Sequence, residues 1–174
     1  MPMDMEALAA RFSGAKVLVV DDDPDTRKVV RALLTSIGVR TIFEAGDGLA
    51  GLELVRTMVP DVIILDWEMP ALDGAGFVRT VRSPETFPYP HVPIIMLTGH
   101  GERSRVIEAI QIGVNAFLLK PVSSKALQDR LAAALTDPRS LVKSDNGYGP
   151  ASRKLAAGVY ADNDELVTQL YLLN

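Results

Sequence analysis

Short apolar stretches alternate with amphipathic ones along the whole first three-quarters of the chain. Lys16-Val-Leu-Val-Val20, Arg40 to Glu44, the run Val62 to Leu65, Val92 to Thr98 and Asn115 to Leu119 have strand length and are rich in Val, Ile, Leu and Phe. A continuous apolar run this short, bounded by turn residues, predicts a strand buried on both faces of a parallel sheet. The segments between them carry apolar residues at helical spacing. Asp23 caps and Pro24 opens one with Val29, Val30, Leu33, Leu34 and Ile37 on a face, and Gly38 stops it. Asp47 caps a second with Leu49, Leu52, Leu54, Val55 and Met58, closed by Pro60. Ala75 to Arg82 and Glu102 to Ile112 form a third and fourth, and Ser123 caps a last one with Leu127, Leu131 and Leu135 in a stripe. Strand followed by helix, five times over, predicts an α/β fold: a five-stranded parallel sheet with helices on both faces.

Four segments stand outside this rhythm. Met5 to Phe12 has Met5, Leu8 and Phe12 on one helical face; it reads as a short helix, with a slight preference for a loosely packed extension. Ser83 to His91, with Pro84, Pro88 and Pro90, reads as a rigid, exposed connection, long for its place. Ser144 to Pro150 is rich in Gly, Ser, Asn and Pro and reads as linker. Asp162 to Leu173 reads as a helix with a capping box at Asp162 and Glu165 and an apolar stripe of Leu166, Val167, Leu170, Tyr171 and Leu173.

Composition narrows the class. The 174 residues are 48% apolar and 23% charged, as in a globular protein, and the net charge of -4 gives no basic signature for nucleic acid. No cysteine is present, so disulfides and thiolate metal sites are excluded. Met1 to Glu6 lacks the pattern of a signal peptide, and no apolar run reaches the roughly 18 residues that span a bilayer. The expectation is a cytoplasmic protein.

The strand ends carry the chemistry. Asp21 and Asp22 follow the first strand, Asp66 ends the third, Thr98 the fourth, and Lys120 follows the fifth. All lie at the carboxyl edge, where open α/β sheets bind ligands. Adjacent carboxylates at a buried strand end repel unless a cation sits there, and oxygen-only ligands select a hard ion, Mg²⁺ or alternatively Mn²⁺. Beside such an ion, an ammonium and a hydroxyl can share the equatorial oxygens of a phosphoryl group in transfer. A carboxylate can itself be the nucleophile, and Asp66, alone at the centre of the sheet, is the best candidate.

Val17-Leu-Val-Val-Asp-Asp-Asp-Pro24, Asp61-Val-Ile-Ile-Leu-Asp-Trp-Glu-Met-Pro70, Ile94-Ile-Met-Leu-Thr98 and Phe117-Leu-Leu-Lys-Pro121 resemble, in order and spacing, the motifs of bacterial two-component response-regulator receiver domains of the chemotaxis-regulator type. The resemblance covers Ala15 to Thr136. It implies a flavodoxin-like, doubly wound sheet with strand order 2-1-3-4-5. It implies that Asp66 accepts a phosphoryl group from a histidine of a sensor kinase or phosphotransfer protein. It further implies that Asp22 and Asp66 ligate Mg²⁺ by their side chains, Glu68 by its backbone carbonyl, and that Asp21 holds metal-bound water. Lys120 would pair with the phosphoryl oxygen, Thr98 and Phe117 would form the switch, and the Lys120–Pro121 peptide would be cis. Phe117 stands where the family often has Tyr, and Gly99 where it often has Ala.

The expected organisation is an extension over residues 1–14, a receiver over 15–137, and a linker and tail over 138–174 with no recognisable output domain. The expected function is a phosphoacceptor switch, not an enzyme, that binds an unidentified downstream protein, without direct contact to nucleic acid or membrane; a homodimer is left open. Two alternatives remain. One is a haloacid-dehalogenase-like phosphatase, although Asp21-x-Asp23-x-Asp25 lacks the Thr that family uses. The other is an adaptor with a receiver fold and no phosphorylation.

Overall fold

The computed structural model describes residues 4–85, 87–99, 103–136, 141–144 and 147–150. The element order is α1 (Met5–Gly14), β1 (Lys16–Val20), α2 (Pro24–Ile37), β2 (Thr41–Ala45), α3 (Gly48–Met58), β3 (Val62–Asp66), α4 (Gly74–Arg82), β4 (Ile94–Thr98), α5 (Arg103–Ile112), β5 (Ala116–Leu119), α6 (Ser124–Thr136), β6 (Leu141–Ser144) and β7 (Gly147–Pro150). The first five strands form one parallel sheet in the order β2-β1-β3-β4-β5. The parallel sheet is the one the alternation predicts, and its doubly wound, flavodoxin-like order 2-1-3-4-5 is the one the resemblance implies.

The period of two in each strand splits the core into halves. Leu18, Val20, Ile63, Leu65, Ile94 and Met96 face one side and pack with residues of α3, α4 and α5. Val17, Val19, Val62, Ile64, Ile95 and Leu97 face the other and pack with α2 and α6. Every residue of β3 and β4 is buried, which is why those two runs are apolar without interruption. The caps act as read: the Asp23 carboxylate accepts from the Asp25 amide, that of Asp47 from Ala50, and Ser123 Oγ from Ala126.

Four readings need correction. The short helix read over Met5 to Phe12 is present, but it is docked on the core and not loosely packed: Phe12 is buried among Val17, Val30 and Leu34, and Arg11 donates to the Leu135 carbonyl. Phe12 supplies a large apolar anchor that a solvated extension would not need. The connection from Ser83 to His91 is not simply exposed. Phe87 and Pro90 are buried, and Arg82, itself buried, ties the segment down from the end of α4. The linker reading of Ser144 to Pro150 gives way to an antiparallel hairpin of β6 and β7, with Ser144 opposite Gly147. Val29, Leu49 and Met58, assigned to helix faces by their apolarity, are exposed. The helix read over Asp162 to Leu173 lies outside the described residues.

Candidate functional site

Parallel register brings the strand ends level. Asp66 pairs with Leu97, Thr98 with Leu119, and the Lys120 amide donates to the Thr98 carbonyl at 2.8 Å. Asp21 leaves β1 one residue beyond the β1–β3 pairing, its amide held by the Ala45 carbonyl at 3.1 Å. Asp21, Asp66, Thr98 and Lys120 thus come to one edge without any long loop having to find its place.

Asp21, Asp22 and Asp66 each bring a carboxylate oxygen within 4.8 Å of the others. Their environments differ. Asp21 is fully buried, Asp66 is 7% exposed, and Asp22 faces solvent. Lys120 Nζ lies 3.1 Å from Asp66 Oδ1 and 3.3 Å from Asp21 Oδ2. Asp21 Oδ1 accepts the Asp23 amide at 2.8 Å, but Asp21 Oδ2, buried, makes no hydrogen bond. One ammonium therefore pairs with two of the three carboxylates, Asp66 and Asp21, and the Asp21 oxygen it faces at 3.3 Å has that ion pair but no hydrogen bond. A hard divalent cation suits this set: oxygen donors only, excess negative charge, and one carboxylate open to water.

Electrostatics separates the roles. Burial, and next the neighbouring charge of Asp21, push the Asp66 carboxyl up to about 6, against the pull of Lys120. Burial works against the charge of Lys120, yet Asp66 and Asp21 outweigh it and raise its pKa. Lys120 therefore stays protonated at neutral pH, and Asp66 is a desolvated carboxylate of raised basicity. Such a group is a better nucleophile than a solvated one.

The remaining site residues lie around this centre. Thr98 is buried at the end of β4, and its hydroxyl donates to the Gly99 carbonyl at 3.2 Å. Phe117 is buried among the residues that pack β5 against α4 and α5. Glu68 follows Asp66 by two residues and is exposed, and its carboxylate pairs with Arg105 on α5. The Lys120–Pro121 peptide is cis. Gly74 lets α4 start against β3: its amide donates to the Trp67 carbonyl, and a Cβ there would sit 2.8 Å from the Trp67 Cα.

Sequence reasoning missed two positioning groups. Arg27, one turn into α2, donates to the Asp21 carbonyl at 2.7 Å and pairs with Glu44 on β2. Arg105 reaches the loop after β3 from a different helix, and nothing in its local sequence marks it. A cleft of about 580 Å³ opens beside this pair, lined by Trp67, Glu68, Met69, Arg79, Arg105 and Glu108 among others.

Comparison with known proteins agrees with this fold. The family model for the response regulator receiver domain matches residues 17–132. A chemotaxis protein, CheY-3 of Vibrio cholerae, is 34% identical over 127 residues, which cover 73% of this chain and 95% of that protein. The chemotaxis protein CheY of Pseudomonas aeruginosa is 34% identical over 116 residues, 67% of this chain and 92% of that one. Among solved structures, Vibrio cholerae CheY4 superposes with a TM-score of 0.62 at 32% identity, covering 69% of this chain and 98% of that one. The receiver domain of the Francisella response regulator 1452 gives 0.63 at 30%, covering 70% and 97%.

Proposed function

Because this chain belongs to the response regulator receiver family, we propose that it is a phosphoacceptor switch in which Asp66 takes a phosphoryl group from a phosphohistidine of a sensor kinase or phosphotransfer protein. The observation that carries this reading is the buried Asp66 carboxylate held 3.1 Å from Lys120 beside Asp21 and Asp22. An Asp66 oxygen attacks phosphorus, the P–N bond of the donor breaks, and its electron pair returns to the imidazole nitrogen, which takes up a proton. Lys120 holds the nucleophile from one side and later faces a phosphoryl oxygen. Thr98, at the level of Asp66, offers a hydroxyl to a second oxygen.

Mg²⁺ fits the carboxylate cluster; Asp22 and Asp66, with the Glu68 carbonyl, would hold it, Asp21 would hold its water, and its charge would offset that of the phosphoryl oxygens. Mn²⁺ has the same donor preference. The protein transfers nothing onward to a small substrate: it is a signalling protein that catalyses only its own phosphorylation and dephosphorylation. The receiver spans residues 15–137, with 1–14 before it and 138–174 after it. Output is then binding of a protein partner to the face that Thr98, Phe117 and α5 border, in the cytoplasm where such kinases present their phosphohistidines. Among the described residues no helix is long and apolar enough to cross a membrane.

The test is direct. Incubated with a small phosphodonor and Mg²⁺, the protein takes up base-labile, acid-stable phosphate on Asp66, and Asp66→Asn takes up none while keeping its fold. Undiminished labelling of the Asn variant at a single other site refutes the assignment.

A further inference from the structure

The chain does not end with the receiver fold. After α6 it forms the β6–β7 hairpin, and β7 lies alongside α5 and reaches α4. These are the two helices that flank the cleft beside Glu68, and α5 carries Arg105, which holds the Glu68 carboxylate. We propose that the α4–α5 face is a docking surface whose resident occupant is the chain's own hairpin, and that phosphorylation of Asp66 releases it. The release rests on the phosphoacceptor reading; the docking does not.

Three physical arguments support the hairpin as the occupant. A two-stranded hairpin of four-residue strands is marginal in water and needs a surface to lean on. The strand on the helices, Gly147-Tyr-Gly-Pro150, is among the weakest strand formers a sequence can offer, since Gly and Pro are depleted in strands. Its strand conformation is therefore supplied by the ladder to β6 and by the helices, so hairpin formation and docking are one event. The tether is also short: only four residues separate the end of α6 from the start of β6, so the local concentration of the hairpin at its own receiver is high.

The link to Asp66 runs through α5. Glu68, two residues after the phosphoacceptor, and Arg105 of α5 are joined directly, and Arg79 of α4 is bonded to Glu108 of α5 at 3.1 Å. A shift of the loop after β3 or of Thr98 thus bears on the helix that β7 covers. A contact this small is displaceable, and a protein partner that uses α5 must displace it.

The experiment uses the full chain. Amide exchange is followed in the parent and in the double variant Val142→Pro/Tyr148→Pro, which breaks the ladder while leaving the receiver residues untouched. The expected result without phosphate is exchange several-fold faster over residues 104–112 in the variant. Equal exchange there overturns docking. Protection that grows with protein concentration overturns it in favour of a second copy's hairpin as the occupant. In the second arm the parent receives Mg²⁺ and beryllofluoride, and Trp67, the single tryptophan and the neighbour of Asp66, reports whether the site responds. Fluorescence change with loss of protection over 141–150 supports release. Fluorescence change with protection retained overturns release and leaves the phosphoacceptor reading standing. No fluorescence change at any concentration overturns the phosphoacceptor reading and release together, while the first arm still decides docking.

Discussion

Ionising Asp66 costs this fold stability, and Asp66→Asn removes the cost. In the folded protein the carboxyl is held at about 6, against an ordinary value of 3.8. At about 1.36 kcal/mol for each pH unit between them, the ionised form weighs against the folded state by about 3 kcal/mol. The sign follows from proton counts. Between pH 3.8 and about 6 the folded chain keeps a proton that the unfolded chain has lost. Stability from this group is therefore complete below the unfolded value, falls as pH rises through the folded value, and is level above it. Asn, nearly isosteric with the protonated acid, does not titrate. Urea denaturation of parent and variant without divalent cation, followed by Trp67 fluorescence, should give nearly equal stabilities at pH 3.5. A gap of about 3 kcal/mol in favour of Asn should open by pH 7.5. Mg²⁺ at about a hundred times its dissociation constant should return about 2.7 kcal/mol to the parent, which nearly closes the gap, and much less to the variant. A difference between the two proteins that is flat from pH 4 to 7.5 refutes the electrostatic account of the site. Equal stabilisation of both by Mg²⁺ refutes the ion's place beside Asp66.

Arg82→Met should destabilise by about 3 kcal/mol in urea denaturation, because the buried guanidinium donates to the carbonyls of Gly113, Pro90 and Val92 and to Asn115. A loss under 1 kcal/mol would mean that water replaces it. Phe12→Ala should cost about 3–5 kcal/mol if α1 belongs to the folding unit, and an unchanged melting temperature would return it to the status of an extension. Gly74→Ala should cost about 1–3 kcal/mol and slow phosphoryl acceptance, since the new methyl group displaces the Trp67 backbone next to Asp66. Labelling at the parent rate in a destabilised variant would separate the two effects.

The sheet and the gathering of polar residues at its carboxyl edge were legible because both follow from local patterns. Val62 to Leu65 can only be a two-sided buried strand, and a polar residue where such a run stops must stand at an edge. Once five strands alternate with five helices, right-handed crossovers bring all the carboxyl ends to that edge, so Asp21, Asp66, Thr98 and Lys120 are assembled by topology. What was not legible depends on contacts between distant elements. Phe12 looked solvated because a single aromatic in a short helix gives no sign of which surface will cover it. Arg82 looked like any polar helix end, yet it threads between the proline-rich segment and the turn before β5. The hairpin has a local signal, Asn146-Gly147, but the Gly, Ser, Asn and Pro of that segment read as linker.

Phe117 changes what the switch can consist of. An aromatic ring at this position in β5 could act by moving between solvent and the core, and the resemblance leads one to expect inward packing on activation. Here the ring is buried, in one apolar cluster with Phe77, Val78 and Val106. The chemistry of the side chain favours that position. A tyrosine gains a hydrogen bond by turning its hydroxyl outward, whereas phenylalanine loses apolar burial, roughly 1.5–3 kcal/mol, and gains nothing. An outward state of Phe117 has little to stabilise it, so in the proposed switch the ring would carry little of the signal. The moving parts are then those whose two states are closer in energy: the Thr98 hydroxyl, which exchanges one oxygen acceptor for another, and the exposed Glu68–Arg105 pair. The Glu68–Arg105 pair joins the loop after Asp66 to α5, whereas Thr98 is paired with Leu119 of β5. On the proposed phosphoacceptor reading the signal then runs through the Glu68–Arg105 pair to α5, the helix that β7 lies against.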